Sequence, residues 1–172
     1  MRAIAADAGV SQKTVEALYG TKAGLLAETV TYAIRGDVEP VEMLQRPHIL
    51  AMESVATAAE MLDLHAAHLR RVNERSAQIA FVVEQAARAD ADMRDLWGQM
   101  NHNRLVGVGW AARTLLAKPG TDHLNAEEIE PAFLVAFDWG TYRVLTEVSG
   151  LTADGFEAWI RSYYRRMLLA AE

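Results

Sequence analysis

The sequence contains no cysteine and only four prolines among its 172 residues. Without cysteine the chain has no disulfides, no thiolate nucleophile and no thiolate-based zinc site. No apolar run is as long as a membrane-spanning helix, and the N-terminal residues lack the pattern of a signal peptide. We therefore expect a cytoplasmic protein that does not enter a membrane.

Motifs that carry enzymatic chemistry are also missing. The sequence has no Gly-x-Ser-x-Gly elbow, no Walker loop and no paired carboxylates at a catalytic spacing. Gly107 and Gly109 lie within a helical stretch that no strand precedes, which does not fit a nucleotide-binding loop. His65 and His68 have the i, i+3 spacing of metal ligands but no evident further ligand nearby. We predict a protein that is not an enzyme and has no catalytic residues, metal site or cofactor.

The composition favours an all-helical fold. Hydrophobic residues make up 51% of the chain and charged residues 23%, as in ordinary globular proteins. Alanine and leucine are abundant, and long stretches lack the alternation of a strand. The net charge is −6, but residues 1–35 carry four basic and three acidic residues and the remainder carries −7. An acidic body with a weakly basic N-terminal segment fits DNA contact through one tip, and it fits an acidic enzyme equally well.

The N-terminal segment has the pattern of two short helices joined by a turn. A helix around Ile4–Ala8 is followed by Gly9, which suits a left-handed turn, and by Ser11 at an N-cap position. The second helix spans Gln12–Ala17. Thr21 then caps a third helix. Two short helices joined by a glycine turn predict a helix-turn-helix, whose second helix enters the DNA major groove.

This segment resembles the TetR/AcrR family of transcriptional regulators. The residues that match the family pattern are Ile4-Ala5, Ala8-Gly9-Val10-Ser11, Thr14-Val15, Tyr19, Thr21-Lys22 and Leu25. Two positions depart from it, because Glu16 and Leu18 stand where the family usually has residues that can bind DNA phosphate. The family also has a further helix before this motif. We therefore expect this DNA-binding segment to be incomplete at its N-terminus, because a preceding segment is missing or because the natural chain is shorter.

The resemblance implies a DNA-binding head over residues 1–36 and a helical effector-binding and dimerisation domain over residues 37–172. Glutamine can pair with adenine, lysine with guanine or phosphate, and hydroxyls with phosphate. The predicted DNA-binding residues are Ser11, Gln12, Lys13, Thr14, Tyr19 and Lys22. The alternative is that these are solvated polar residues on a structural three-helix unit.

The remaining chain predicts long helices with apolar faces. We expect a helix from Lys22 to about Ile34, two pieces over residues 49–89, and one from Met93 to about Ala117. Arg70, Arg71 and residues 73–75 have the pattern of a solvated stretch. Asn125 predicts the start of a helix that continues to Ser149-Gly150, and Thr152 caps a last helix whose apolar face runs to Ala170.

Large apolar side chains on the body helices are usually core residues, yet the resembled family encloses an effector pocket among such helices. The candidate effector-binding residues are Met61, His65, Phe81, Trp97, Met100, Trp110, Phe137 and Trp139. Asn101, Asn103 and Asp138 are candidate polar groups of the same pocket. For His65, on the apolar stripe, a core position is the alternative.

The last two helices also resemble the family, in which they pair with a second subunit. Their wide apolar faces need more cover than one chain of this size supplies. The predicted function is therefore a homodimeric regulator, by family default a repressor, which a small-molecule effector releases from a palindromic operator in double-stranded DNA. The alternative is an all-α dimerising or ligand-binding module that has lost DNA binding.

Overall fold

The computed structural model describes residues 1–169, and these form only helices and connections. The all-α prediction is confirmed. A 3-10 turn at Met43–Gln45 and a π-helical turn at Val144–Val148 accompany the α-helices. The α-helices of the described residues are α1 Arg2–Asp7, α2 Gln12–Tyr19, α3 Lys22–Arg35, α4 Pro47–Ser54, α5 Ala58–Ala87, α6 Ala91–Leu116, α7 Ala126–Ala136, α8 Trp139–Arg143 and α9 Ala153–Leu168.

Side-chain caps fix most of the helix starts. Ser11, Thr21, Asn125 and Thr152 each accept a hydrogen bond from a backbone N–H in the first turn of the helix that follows, as predicted. Each bond satisfies a donor that has no partner within its own helix. Thr57 starts α5 with a full capping box, in which the Glu60 side chain bonds back to the Thr57 backbone.

Helices α5 and α6 form the centre of the fold. Three residues join them, so they pack as an antiparallel hairpin. One core cluster lies between the first half of α5, the second half of α6 and helices α4, α7 and α9. A second, smaller cluster lies at the other end of the hairpin, where Val30 of α3 and Trp139 of α8 pack on Val83 and Met100. Helix α3 is therefore attached to the same end of the hairpin as α8.

The predicted single helix from Asn125 to Ser149-Gly150 is wrong. Helix α7 ends at Ala136, and Asp138 adopts an extended conformation before α8 begins. The Asp138 carboxylate accepts a hydrogen bond from the Thr141 N–H at 2.8 Å and pairs with Arg104 at 2.6 Å. The helix is therefore interrupted at Asp138, whose side chain caps α8 and pairs with Arg104.

The predicted solvated stretch of α5 is also wrong in part. Asn73 is only 2% exposed. Arg75 donates to the carbonyl oxygens of Ala33 and Ile34 at 2.8 and 3.1 Å, and so satisfies the C-terminal end of α3. Asn73 is thus buried where the sequence looks solvated, whereas Arg75 stays exposed and bonds to the end of α3. The predicted apolar position Ala170 lies outside the described residues.

None of the helices within residues 1–169 combines the length and the apolarity that crossing a membrane requires.

Candidate functional site

The N-terminal site begins with the turn between α1 and α2. Gly9 has a φ of +67°, a conformation that costs glycine little and other residues more. The N–H of Val10 donates to the Ala5 carbonyl at 2.9 Å, which closes the turn. The Ser11 hydroxyl then accepts from the Thr14 N–H at 3.1 Å and starts α2. Local chemistry therefore sets the direction in which α2 leaves the turn.

A second tight turn joins α2 to α3. Gly20 has a φ of +66°, and the Thr21 hydroxyl accepts from the Gly24 N–H at 3.0 Å. A Cβ atom at Gly24 would overlap the carbonyl oxygen of Tyr19. The absence of a side chain at position 24 thus lets the start of α3 lie directly against the end of α2. The sequence interpretation missed this role, which only the close backbone approach reveals.

The predicted DNA-binding residues all lie on the exposed side of this unit. Gln12, Lys13, Thr14, Tyr19 and Lys22 are exposed. Lys13 and Lys22 form no ion pair with any residue in the range 1–169. Their ammonium groups are therefore available to an external anion.

Three of the predicted contact residues already form side-chain hydrogen bonds inside the unit. The hydroxyls of Ser11 and Thr14 lie 2.8 Å apart and share a hydrogen bond. The Gln12 side-chain amide donates to the Glu16 carboxylate at 2.6 Å. Glu16 thus holds the side chain of Gln12 and adds a negative charge to the exposed face of α2. Leu18 is 70% exposed on the same helix.

A cavity of about 740 Å³ lies beside α3, in the size range of sites for drug-sized molecules. Its walls come from α3, the 3-10 turn, α5, α6 and the junction of α7 with α8. Most of the wall is apolar. The large apolar side chains that line it are Val30, Ile34, Met43, Leu44, Leu69, Val72, Leu96, Met100, Val106, Phe137 and Trp139.

Few polar groups interrupt this wall at depth. Asn73 is buried, and its side-chain Nδ2 has no hydrogen-bond partner in the described part of the chain. His68, also on α5, is buried and stacks on His48, with ring centroids 5.2 Å apart. Burial, together with the nearby histidines and arginines, lowers the pKa of His68 well below its usual value, so its imidazole is neutral at pH 7.

Arg104 lines the cavity near the start of α8 and pairs with Asp138, which lies outside the lining. Its Nη1 donates to the Asp138 carboxylate at 2.6 Å. The Arg104 guanidinium lies 5.6 Å from the centre of the Trp139 ring. Its buried Nε has no partner among residues 1–169. Two residues of the cavity wall, Asn73 and Arg104, therefore each hold a buried N–H group without a partner in the described chain.

Three of the eight predicted effector-binding residues line this cavity, namely Met100, Phe137 and Trp139. Met61 and His65 are fully buried in the larger core cluster or against it. Trp97 packs on Trp139 from outside the cavity, and Phe81 lies under the Arg143 guanidinium. Of the three candidate polar groups only Asn103 lines the cavity. Sequence periodicity did not single out Asn73, His68 or Arg104 for this role.

Trp110 lines a separate pocket of about 350 Å³ at the far end of α6. Its indole N–H donates to the Glu53 carboxylate at 2.9 Å. Lys118 donates to the backbone oxygens of Glu53 and Val55, both at 2.7 Å. The hydrogen-bonding groups of Trp110 and Lys118 thus have partners at the end of α4. No ligand is needed to explain why these residues lie together.

His65 has a polar partner inside the core rather than in the cavity. Its Nδ1 lies 2.8 Å from the Tyr164 hydroxyl. Burial lowers the pKa of His65 to about 3 and raises that of Tyr164 well above its usual value. Both side chains are therefore neutral at pH 7. Within residues 1–169 no group of three or more histidine, aspartate or glutamate residues has the geometry of a metal site.

Comparison of the chain with models of known protein families, with curated proteins and with solved structures finds no match in any of the three.

Proposed function

We propose that this chain is a ligand-responsive DNA-binding transcriptional regulator of the TetR/AcrR type, and by family default a repressor. The observation that carries the proposal is the placement of α3. Its first residue follows α2 after a two-residue turn, and five of its residues line the cavity: Ala27, Val30, Thr31, Ile34 and Arg35. One helix thus connects the exposed N-terminal unit with a cavity able to hold a small molecule.

The proposed DNA-binding surface is α2 with the residues at its two ends. Helices α1 and α2, joined by the Gly9 turn, supply the helix-turn-helix. Lys13 and Lys22 supply unpaired positive charge, and Gln12 retains a side-chain oxygen that Glu16 does not use. Helix α2 would lie in the major groove, with Lys22 against the phosphate backbone.

The proposed mechanism is a two-state shift. A ligand in the cavity contacts α3, and α2 follows any movement of α3 because Gly24 packs against the Tyr19 carbonyl. In a dimer the two α2 helices would then lose the spacing of the operator half-sites. By linkage, ligand and DNA each weaken the other's binding, through a coupling of typically about 1–3 kcal/mol.

The proposed dimer forms through α8, the π-helical turn and α9. Val144, Val148 and Met167 are 55, 80 and 58% exposed. Trp159, which is 36% exposed, stacks on Tyr163 with the rings 6° from parallel. A face of this kind is commonly covered by a second subunit in a symmetric dimer.

Sedimentation velocity at micromolar concentration is expected to show a dimer. Val148→Asp should shift the chain toward monomer by weakening the dimer at least about tenfold, because it buries two charges in the proposed interface. Val38→Asp is the matched control, since Val38 is 87% exposed in the connection after α3. A monomer for the parent chain, or equal effects of the two variants, would contradict the interface.

Selection of duplex DNA from a random pool is expected to yield a palindrome, bound less tightly as salt rises. Lys13→Glu should then weaken binding to the selected site by about 10- to 100-fold, the loss typical of one good base or phosphate contact. The slope of the logarithm of DNA affinity against the logarithm of salt concentration should become shallower by about one for each α2 helix in contact with DNA. Fluorescence anisotropy with labelled duplex measures both quantities.

Arg113→Glu is the control for charge in this experiment. It makes the same charge change at an exposed residue near the end of α6, far along the hairpin from α3. Its DNA affinity should stay within about threefold of the parent, since longer-range charge effects are screened at physiological salt. Equal losses in the two variants would mean that only net charge matters, and α2 would not be the reading helix.

The alternative function is an all-α ligand-binding or dimerising module that does not bind DNA. The negative charge of Glu16 on the exposed face of α2, the exposed Leu18 and the net charge of −6 favour it. Failure to enrich any duplex, from a chain that still sediments as a dimer and binds a cavity ligand, would select this alternative.

A further inference from the structure

His68 is a buried polar side chain of the cavity wall whose hydrogen-bonding groups are unused. It lines the cavity and is 8% exposed. Within residues 1–169 the one hydrogen bond made by a histidine ring joins His65 to Tyr164, so neither ring nitrogen of His68 has a partner there. Nε2 of His65 and Nδ2 of Asn73 also lack a partner in this range, but they have almost no accessible surface. The ring nitrogens of His68 are not enclosed in this way and remain accessible.

His68 belongs to the stripe of α5 that forms one wall of the cavity. His68, Leu69 and Val72 all line it, and His68 and Val72 lie one helical turn apart. His48 of α4 covers one face of the imidazole, since the two rings are 29° from parallel with centroids 5.2 Å apart. With that face covered, the unbonded nitrogens have the cavity that His68 lines as their accessible space.

The surroundings of this ring keep it neutral. Burial lowers the pKa of His68 well below its usual value, and the neighbouring His65, His48, Arg71 and Arg75 act in the same direction. A neutral imidazole has one N–H donor and one bare nitrogen acceptor, and its two tautomers allow either nitrogen to take either role. A hydroxyl or carbonyl oxygen is a suitable partner, because it bonds to the ring without bringing a charge.

The charged residues of the cavity wall do not change this preference. Arg104 is paired with Asp138 at 2.6 Å, and Glu42 is exposed at the solvent side. Arg35 lies in the last turn of α3, where its charge complements the partial negative charge of the helix end. An ionised ligand end against His68 would therefore lose its hydration and gain no ion pair with the ring. The large apolar side chains of the wall fit an apolar body.

We infer that the cavity binds a largely apolar, uncharged molecule that carries a hydroxyl or carbonyl oxygen, and that His68 forms a hydrogen bond with this oxygen. This inference deepens the proposed function, on which it rests for the role of the cavity as the regulatory site. The apolar body of the ligand lies against Leu69, Met100 and Phe137, which are wall residues from α5, α6 and the end of α7.

Three probes with one alkyl chain and different charges test the inference: 1-decanol, decanoate and decylamine. Isothermal calorimetry at pH 7 measures their binding to the full chain. 1-Decanol is expected to bind at least about tenfold more tightly than either charged probe, because a neutral imidazole does not replace the hydration that a charged group loses on burial.

His68→Leu is expected to weaken the binding of 1-decanol by about five- to tenfold, the loss typical of one hydrogen bond. Its affinity for decanoate and decylamine should stay within about twofold of the parent, since neither is bonded to His68. His68→Gln keeps a donor and an acceptor on its side chain, and should retain most of the affinity for 1-decanol. If His68→Leu does not fold, His68→Phe makes the same test and keeps a ring against His48.

His102→Leu is the matched control. His102 is exposed on α6 and lies outside the cavity lining, so its replacement should leave the affinity for all three probes unchanged. A variant at His68 that weakens the three probes equally would show that the ring only fills the wall.

The inference is overturned if either charged probe binds as tightly as 1-decanol, or if none of the three binds. Unchanged affinity for 1-decanol in His68→Leu would also overturn it. The proposed function fails by a different result, the absence of selective DNA binding by the ligand-free chain. A chain that binds 1-decanol through His68 and selects no duplex would keep the ligand assignment and lose the regulator.

Discussion

Phe133→Ala is expected to lower the free energy of unfolding by about 3–5 kcal/mol, the usual cost of truncating a fully buried phenylalanine. Phe133 lies on α7 and is 0% exposed. Its ring meets His65 of α5 edge to face and Tyr164 of α9, in both cases with centroids 5.3 Å apart. Three helices therefore meet at this ring, and its loss leaves a cavity that none of them can close alone.

The packing of Phe133 also affects the proposed ligand cavity. Phe137 follows Phe133 by one helical turn and lines the large cavity, where its ring would lie 3.0 Å from a Cβ at Gly107. The packing of Phe133 thus fixes the end of α7 that carries Phe137. We expect Phe133→Ala to lower stability and also to weaken the binding of a ligand in the cavity, because Phe137 is no longer held in place.

Leu134→Ala is the matched control. Leu134 is the next residue of α7 and is 37% exposed. Its truncation should cost about 1 kcal/mol or less, because little buried surface is lost. Urea unfolding followed by circular dichroism measures both variants. Similar losses in the two would show that α7 does not pack through Phe133.

The parts of the fold that depend on local chemistry were predictable from the sequence. The caps at Ser11, Thr21 and Thr152 were identified from residue type and position, and each makes the expected hydrogen bond. The two pieces of helix over residues 49–89 were predicted too, and they correspond to α4 and α5. Capping is a contact within one turn of chain, so a short stretch of sequence contains all of its participants.

Features that depend on distant partners were not predictable in the same way. The break at Asp138 is stabilised by Arg104, which lies 34 residues earlier in the chain. Asn73 lies within a charged stretch that has the composition of a solvated surface, yet it is buried in the fold. The apolar stripes contain both core and cavity residues, so periodicity alone does not separate Met61 from Met100.

Acid is expected to destabilise this protein through its buried histidines. The pKa of His65 is about 3 in the folded chain, against an ordinary value of 6.5, because burial penalises the charged ring. Between these values the unfolded chain binds a proton that the folded chain does not, so stability falls as the pH falls. His65 alone should remove about 2–3 kcal/mol between pH 6 and pH 4, at about 1.4 kcal/mol per pH unit.

His68 changes stability in the same direction, because burial and the neighbouring His65 and His48 lower its pKa as well. The quantity that isolates His65 is therefore the change in slope between the parent and His65→Gln. Glutamine does not titrate, and its side chain can still bond to the Tyr164 hydroxyl. The measurement is urea unfolding at several pH values between 4 and 7.

In His65→Gln the slope of the unfolding free energy against pH should be smaller than in the parent, by the equivalent of about one bound proton. This difference does not depend on how much the substitution lowers stability at neutral pH. His102→Gln makes the same substitution at an exposed histidine of α6 and is the matched control. An unchanged slope in His65→Gln would mean that His65 accepts a proton within the fold. The Tyr164 hydroxyl would then have to accept a hydrogen bond from Nδ1 of an imidazolium, and the core between α5, α7 and α9 would have to admit a charge.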